Sequence, residues 1–597
     1  MRPRFSHAAR DARHARRVGT PVPRLPRRGL PLLHLRGTAR LRRGGFLPRR
    51  LGRDHTRGAR ARGHPESSPR RWTQSGPFHA RRPRISLSVA RNLKDHARPP
   101  RRAQSRCPRP WRRSVVRALT IDVGTSSVRS ALVGDDGTVT HVHQRPLTLR
   151  SPAPGEVELD AVEIATTALE LAKATQRDGG PGDVVAITNQ RASTIVFDHR
   201  TGQPVGPALG WQDLRTVFDC LVLQGEGIRL APNQSATKAA WLLQQSDVDS
   251  QHLRMATIET WIAWHLSHGE AFVTDRSNAS VNGLVQRDLH SWDLELAERL
   301  VLPPTMFATL VDTMGACASA SELDRNPPIC ALVGDQPASL FGQSLVHQGA
   351  KITFGTGAML DMVSGAEGPD TMTRFSSGCF PTVMRSRNGE VTWGIEAIVL
   401  SAGSCVQWLH DQLGLLDDVR DSSELARSVA HSDGVFFVPA FNGLGTPKWD
   451  FGARGAFFGL TRGSARAHLV RAVLDGIAQR GVDLVDAAET HLDAPLTELR
   501  VDGGMSTNPY FVQRLADLLG RPVAVSNEVE ATTRGAGLMA LVATDELSEH
   551  DVETLWEPRY VAEPLLGDDE RTSQREQWSH VVERAAKTIP ELSSISF

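Results

Sequence analysis

Two short stretches of this 597-residue chain place oxygen and nitrogen groups where phosphate chemistry could use them. In "ALTIDVGTSSVRSALVGDDG", beginning at Ala118, an apolar strand ends in a carboxylate, Asp122. It then breaks into the turn Gly124, Thr125, Ser126 and Ser127, ahead of a second strand carrying Arg129. Glycine lets the backbone approach a ligand closely, so N–H groups of such a turn can point at phosphate oxygens while the hydroxyls add donors. An aspartate ending the strand would hold magnesium, usually through water, because that ion keeps much of its hydration and prefers carboxylate oxygen. An ordinary turn capped by Asp and Thr is the competing reading. The layout returns about 230 residues later in "AKITFGTGAMLDMVSG", where an apolar strand runs into Gly355, Thr356 and Gly357 and then into another apolar strand. Two such units suggest two related α/β domains, each turning a phosphate-facing hairpin toward a shared cleft.

The elements that must hold these loops follow from periodicity. Residues 115–142 read as an antiparallel meander, with turns at Gly124 to Ser127 and Asp135 to Gly137. Helical spacing follows at 161–173, a strand at "VVAITNQR" from Val184, and a hairpin around Thr201 and Gly202. Further helices are expected over 237–245, 255–267, 397–413, 466–489, 510–519 and 534–544, with short strands at 434–439, 499–502 and 523–525. Trp241, Trp261 and Trp264 fall at helical spacing and read as core. The 21 histidines are dispersed without a ligand-like pairing and attract no role.

Charge divides the chain. Residues 1–110 hold 30 Arg and one Lys against four acids, a charge of +27, which leaves −23 for the remainder of a chain whose total is +4. The body is therefore acidic and a poor partner for nucleic acid through its general surface. The tail mixes Arg with Pro, Gly and His and shows no sustained period, which reads as disorder. A start placed too far upstream, with translated leader sequence appended, is the favoured account of it. A transit peptide, a nucleic-acid or membrane arm and a localisation signal are the functional competitors. The six cysteines lack any Cys-x-x-Cys or Cys/His spacing, which speaks against a zinc site or disulfide framework and for a reducing cytoplasm. No apolar run approaches the roughly 18 residues that span a bilayer.

Read together, the loops are more specific than any one of them. Asp122 to Arg129, "TNQR" at Thr188, "GWQDLRT" at Gly210, "GDQPASLFG" at Gly334, "FGTGAM" at Phe354 and "VDGGMSTN" at Val501 follow the order and approximate spacing of one family. "GAFFGLTRGSARAHLVRAVLD" and "SATKAAWLL" match its two signatures. The chain resembles the FGGY carbohydrate kinases over approximately 115–555, with the glycerol-phosphorylating members closest in pattern. The resemblance implies an α/β fold of two actin-like, ribonuclease-H-like domains flanking a nucleotide cleft. The expected division is a tail at 1–115, an N-terminal domain at 116–345, a C-terminal domain at 346–560 and a helical extension at 561–597.

The resemblance also implies roles. Asp122 would position magnesium, and Gly124, Thr125, Ser126, Ser127 and Arg129 would face the terminal phosphates of ATP. Gly355, Thr356 and Gly357 would form the second phosphate loop, while Gly503, Gly504 and Asn508 would meet the adenosine, although Asn508 could equally cap the helix after it. Asp335 would be the general base that takes the acceptor hydroxyl's proton as that oxygen attacks the γ-phosphorus. Arg191, Ala192, Trp211, Asn233 and Gln336 would line the acceptor pocket. Here the pattern departs from the family: its substrate-gripping Glu after Asn-Gln-Arg is Ala192, its substrate-contacting Tyr is Asn233, and an aromatic beside the second phosphate loop is Met359. Losing a buried acceptor costs roughly 1–3 kcal/mol, so the reacting end looks intact and the specificity end altered.

The implied activity is ATP- and magnesium-dependent phosphorylation of a small polyol or sugar in the cytoplasm, glycerol being the best single acceptor and a C4 to C6 polyol or sugar the alternative. The partners are small molecules, with a homo-oligomer open. A non-catalytic actin-like sensor is opposed by the presence of Asp335, and an ATPase without acceptor by Arg191 and Trp211.

Overall fold

A computed structural model of the protein describes residues 116–595. The readings of the basic tail and of Cys107 lie outside those residues. Two mixed sheets carry the described chain. In the first, β1 (Arg117–Val123), β2 (Ser127–Gly134) and β3 (Val139–Pro146) form the expected meander. On the other side of β1, β4 (Val184–Asn189) and then β6 (Pro328–Gly334) add in parallel, and β5 (Met314–Ser319) closes the edge, giving the order β5-β6-β4-β1-β2-β3. β1 and β4 are buried along nearly their whole length, as a central parallel pair covered on both faces should be.

The parallel register places Asp122 beside Thr188 and Gly334 beside Asn189. The carboxyl ends of β1, β4 and β6 therefore share one edge, where α/β sheets receive their ligands.

The second sheet repeats the layout. β7 (Ala350–Phe354) and β8 (Ala358–Gly365) form a hairpin, followed outward by β10 (Glu390–Val399) and β9 (Phe380–Arg387). Parallel β11 (Leu499–Asp502), then β12 (Val523–Ser526), then antiparallel β13 (Pro558–Ala562) extend the other side.

Helices cover the sheets: α1 (Ala161–Gly179), α2 (Ser235–Gln244) and α3 (Ile258–Leu266) belong to the first lobe, together with α4 (Asp335–Gly342). α5 (Gly403–Asp411), α6 (Arg466–Glu489) and α7 (Pro509–Leu519) belong to the second. α8 (Ala531–Ala543) follows the second sheet's strands in sequence, yet its Ala536, Leu538 and Met539 share a core with Ala118, Val133 and Ala186 of the first sheet. It crosses α4 closely enough that a Cβ on Gly535 would lie 1.8 Å from the Ala338 carbonyl oxygen, and one on Gly342 1.9 Å from that of Ala531. α9 (Asp568–Ala585), read as part of an extension, packs Trp578, Val581 and Val582 against Val438, Ala440 and Leu444 of the second lobe.

Two expected helices begin later than their apolar patterns suggest. Ala397 and Val399 lie in β10, paired with Leu360 and Ala358, and the helix starts only at Gly403. Met255 lies in a strand, Leu253–Ala256, paired with Val196, and its helix starts at Ile258. In both, an apolar run continues from a strand into a helix, and hydrophobicity alone does not mark the join. No helix among the described residues is long and apolar enough to cross a membrane.

Candidate active site

The first hairpin is pinned by its own backbone: the Gly124 N–H donates to the Ser127 carbonyl at 3.0 Å, leaving Thr125 and Ser126 at the tip. Thr125 Oγ1 accepts from Trp211 Nε1 at 3.2 Å, and Ser127 Oγ accepts from Gln144 Nε2 at 2.8 Å. Asp122 is buried beneath them, its Oδ2 accepting from Arg129 Nη1 at 3.2 Å and from Thr533 Oγ1 of α8 at 2.9 Å. Arg129 also reaches Glu530 at 2.5 Å. Burial raises the Asp122 pKa, against the pull of Arg129 and Thr533.

The second hairpin docks on the start of α5, where Gly403 N–H donates to the Gly355 carbonyl at 2.9 Å and Ala402 N–H to that of Thr356 at 2.9 Å. A Cβ on Gly357 would lie 2.5 Å from the Val399 carbonyl oxygen, so this contact requires glycine. Gly503 has φ 81° and presses on Phe354, whereas a Cβ on Gly504 would meet nothing within 4 Å. Asn508 caps α7, accepting from Phe511 N–H at 3.0 Å, while its amide donates to Ser422 Oγ at 3.0 Å.

The residues expected at the acceptor end gather around the edge shared by β4 and β6. Asp335 opens α4, with its Oδ1 accepting from the Gln336 N–H at 3.0 Å. Arg191 lies across Gly334, where a Cβ would come within 2.4 Å of its Cδ. Its Nε is 3.7 Å from Asp335 Oδ1, its Nη1 donates to Thr382 Oγ1 at 3.1 Å, and its Nη2 pairs with Glu396. One guanidinium thus joins the base candidate of the first lobe to two strands of the second. Burial raises the Asp335 pKa, Arg191 opposes that and Asp122 adds to it. Burial works against the charge on Arg191, but Glu396 and Asp335 outweigh it.

Gln336 Oε1 accepts from Lys351 Nζ at 3.2 Å, and this fully buried lysine also reaches Thr353 and Asp361, each at 2.9 Å.

Trp211 is set by its backbone N–H donating to Ser193 Oγ at 3.1 Å. Ala192 is buried with φ 62°, and its carbonyl accepts from Thr194 and Ser235 hydroxyls, so its side chain contributes only a methyl group. Asn233 is exposed, and what joins the network is its carbonyl, which accepts from Lys238 Nζ at 3.2 Å. Lys238 also donates to the Gly210 carbonyl at 2.7 Å, tying the Trp211 loop to the Asn233 loop; burial pushes its pKa down to about 7.

Sequence reasoning missed Glu396, Thr382, Lys351, Asp361, Thr533, Glu530 and Lys238. For Lys351, Asp361 and Glu396 a signal existed: Lys351 and Asp361 are each the one charge in an apolar strand, and Glu396 lies in the apolar inner part of β10, away from Glu390 at its start, positions where a charge is costly unless paired.

Two sheets of the same layout, each presenting a Gly-Thr hairpin to a cleft that holds a carboxylate poised beside an arginine, define a two-lobed, actin-like phosphotransferase. Models of the N- and C-terminal domains of the FGGY family of carbohydrate kinases match residues 117–342 and 350–544, and the chain belongs to that family. It is 38% identical over 495 residues to a glycerol kinase of Aromatoleum aromaticum, covering 78% of this chain and 98% of that one. It is 38% identical over 490 residues to a glycerol kinase of Dechloromonas aromatica, covering 78% and 97%. Among solved structures, a Plasmodium falciparum glycerol kinase with ADP superposes with a TM-score of 0.74 at 26% identity, covering 81% of this chain and 99% of that one. A xylulose kinase of Lactobacillus acidophilus, at 17% identity and a TM-score of 0.69, shares the fold.

Proposed function

We propose that this kinase transfers the γ-phosphoryl group of ATP to a hydroxyl of glycerol. The observation that carries the reading is Asp335, held beside Arg191 at the carboxyl edge of the first sheet and within electrostatic reach of Asp122. In this role Asp335 accepts the proton of the attacking hydroxyl, while Arg191 opposes the burial that favours the neutral acid and fixes the acceptor's position. Thr125, Ser126 and Arg129 on one hairpin and Gly355 to Gly357 on the other receive the phosphates through N–H and hydroxyl donors. Gly504, open to close approach, and Asn508 take the adenosine; the ADP of the Plasmodium relative supports an adenine nucleotide.

Asp122 is suited to magnesium: its side-chain hydrogen bonds to Arg129 and Thr533 both fall on Oδ2, and a hard carboxylate oxygen is the donor that ion prefers. When bound, the ion supplies charge neutralisation along the phosphates. Five described cysteines are unpaired, which supports a reducing cytoplasm as the site of action.

Asp335→Asn is expected to lower kcat by about 10²-fold or more while leaving the Kd for ADP within twofold; near-normal turnover in that variant would remove Asp335 as the base. The methyl side chain of Ala192 favours a second reading, a C4 to C6 polyol or sugar. ADP release measured across glycerol, tetritols, pentitols, hexitols and free sugars decides between them.

A further inference from the structure

Arg191 Nε and Asp335 Oδ1 stand 3.7 Å apart, beyond hydrogen-bond reach, so this pair does not lock its own geometry. The Asp335 carboxylate is held locally by the N–H of the next residue, Gln336. Its place relative to Arg191 is therefore set by the two backbones that carry these side chains, at the ends of β6 and β4.

Both ends are met by a single helical turn, Arg276–Ala279, which follows the short strand Val273–Asp275. Asp275 caps the turn, accepting from the Ser277 and Asn278 N–H groups at 2.7 and 3.3 Å. The side chains of those two residues then reach different strands. Ser277 Oγ accepts from the Gly334 N–H at 2.9 Å, one residue before Asp335. Asn278 exchanges amide hydrogen bonds with Asn189 at 3.0 and 3.1 Å, two residues before Arg191, and its Nδ2 also donates to Asp275 Oδ1 at 2.7 Å. Asn189 and Gly334 are themselves paired across β4 and β6. The turn also reaches the second lobe: Thr313 Oγ1 donates to Asp275 Oδ2 at 3.2 Å, and the Thr313 N–H donates at 2.9 Å to Ser386 on β9, the strand whose Thr382 accepts from Arg191.

Asp275, Ser277, Asn278 and Asn189 are all fully buried. Buried polar groups need partners anywhere in a fold; here the partners are the residues that lead into Arg191 and Asp335. Building on the kinase reading above, we infer that Ser277 and Asn278 are positioning residues for phosphoryl transfer: from one capped turn they fix the ends of β6 and β4, and with them the spacing of Asp335 and Arg191. Each acts through a neighbour, Gly334 or Asn189, and neither is called on to touch the substrate. A displacement of about 1 Å at a reacting group can cost 100-fold in rate, so a turn remote from the phosphates can matter to the transfer step. Arg191 and Lys351 act on Asp335 in one sense and Asp122, Asp361 and Glu396 in the other; of these it is Arg191 whose backbone the turn holds through Asn189.

The test uses the full chain with Ser277→Ala and Asn278→Ala, and the acceptor that the wild type turns over best among glycerol and C4 to C6 polyols and sugars. Each variant is expected to lower kcat/KM for that acceptor about tenfold or more, while the Kd for ADP stays within twofold. The acid limb of the pH profile should move toward neutrality as Arg191 is drawn from Asp335. A turn that served stability alone would lower the melting temperature and leave the acid limb and kcat/KM of the folded enzyme where they were, which would overturn the inference. Should Asn278→Ala fail to fold, Ser277→Ala, which loses a single hydroxyl, carries the test. If the wild type turns over no acceptor, the kinase reading fails, and the positioning claim is read from crystal structures of the wild type and Ser277→Ala. Arg191 and Asp335 should then separate by about 0.5 Å or more in the variant; an unchanged spacing would overturn the inference.

Discussion

As the proposed base, Asp335 has to be ionised to take a proton, yet its surroundings favour the neutral acid: burial and Asp122 raise its pKa above the ordinary 3.8, and Arg191 is the main group holding it down. The base is therefore lost as pH falls through that raised value, so the acid limb of kcat/KM should lie above 3.8. Arg191→Met should move the limb further toward neutrality, because the opposing charge is gone, and lower kcat/KM at neutral pH roughly 100-fold. A pH–rate profile of both proteins checks this; an acid limb at the same pH in the variant would mean that Arg191 positions the acceptor without tuning the base. Asp122, at the end of β1, Arg191 and Asp335, at the start of α4, were legible in the sequence through the motifs that resemble those of the FGGY kinases. Glu396, Asp361 and Thr533 were not, because their place beside the loops depends on strand register and on which lobe a helix joins, which no local window records.

At the scale of elements, α8 follows the strands of the second sheet in sequence but packs on the first, and it supplies Thr533 to Asp122. The helix itself was legible over 534–544, three residues inside its real start, but its packing was not, since an Ala- and Gly-rich stretch has little amphipathic contrast to show which sheet it covers. The reason for those glycines is steric. With Gly535 lying against the Ala338 backbone, Gly535→Ala forces α8 away from α4, since backbone cannot yield as a side-chain tip does. The variant should lose about 1–3 kcal/mol of stability, and its kcat should fall as Thr533 is drawn from Asp122. Thermal melting with and without ADP, alongside steady-state rates, checks both effects; an unchanged melting temperature would show that the crossing has slack. The strand-to-helix joins at Ala256 and Val399 mark the same limit, since an apolar run buried on both sides looks alike in either state.

Across the whole molecule, the repeated unit of strand, Gly-Thr turn and strand was visible as a layout because each copy must make the same hairpin, and the two sheets bear it out in strand order and direction. The cleft between them depends on pairings far apart in sequence, such as Arg191 with Glu396, and these emerge only when both lobes are folded. Charge is distributed on the same large scale. Residues 111–597 carry −23 and contain every residue placed in the site, while residues 1–110 carry +27. Exposed charges act over roughly a Debye length, about 8–10 Å at physiological salt, so a strongly basic segment attracts polyanions on its own account while an acidic body repels them. The full chain should therefore be retained on heparin at low salt and released as salt rises, with a steep dependence typical of counterion release. A chain beginning at residue 111 should pass through unretained and turn over its acceptor with the same kcat within about twofold. Retention of the shorter chain would place a basic surface on the lobes themselves, and loss of turnover on shortening would bring the first 110 residues into the working enzyme.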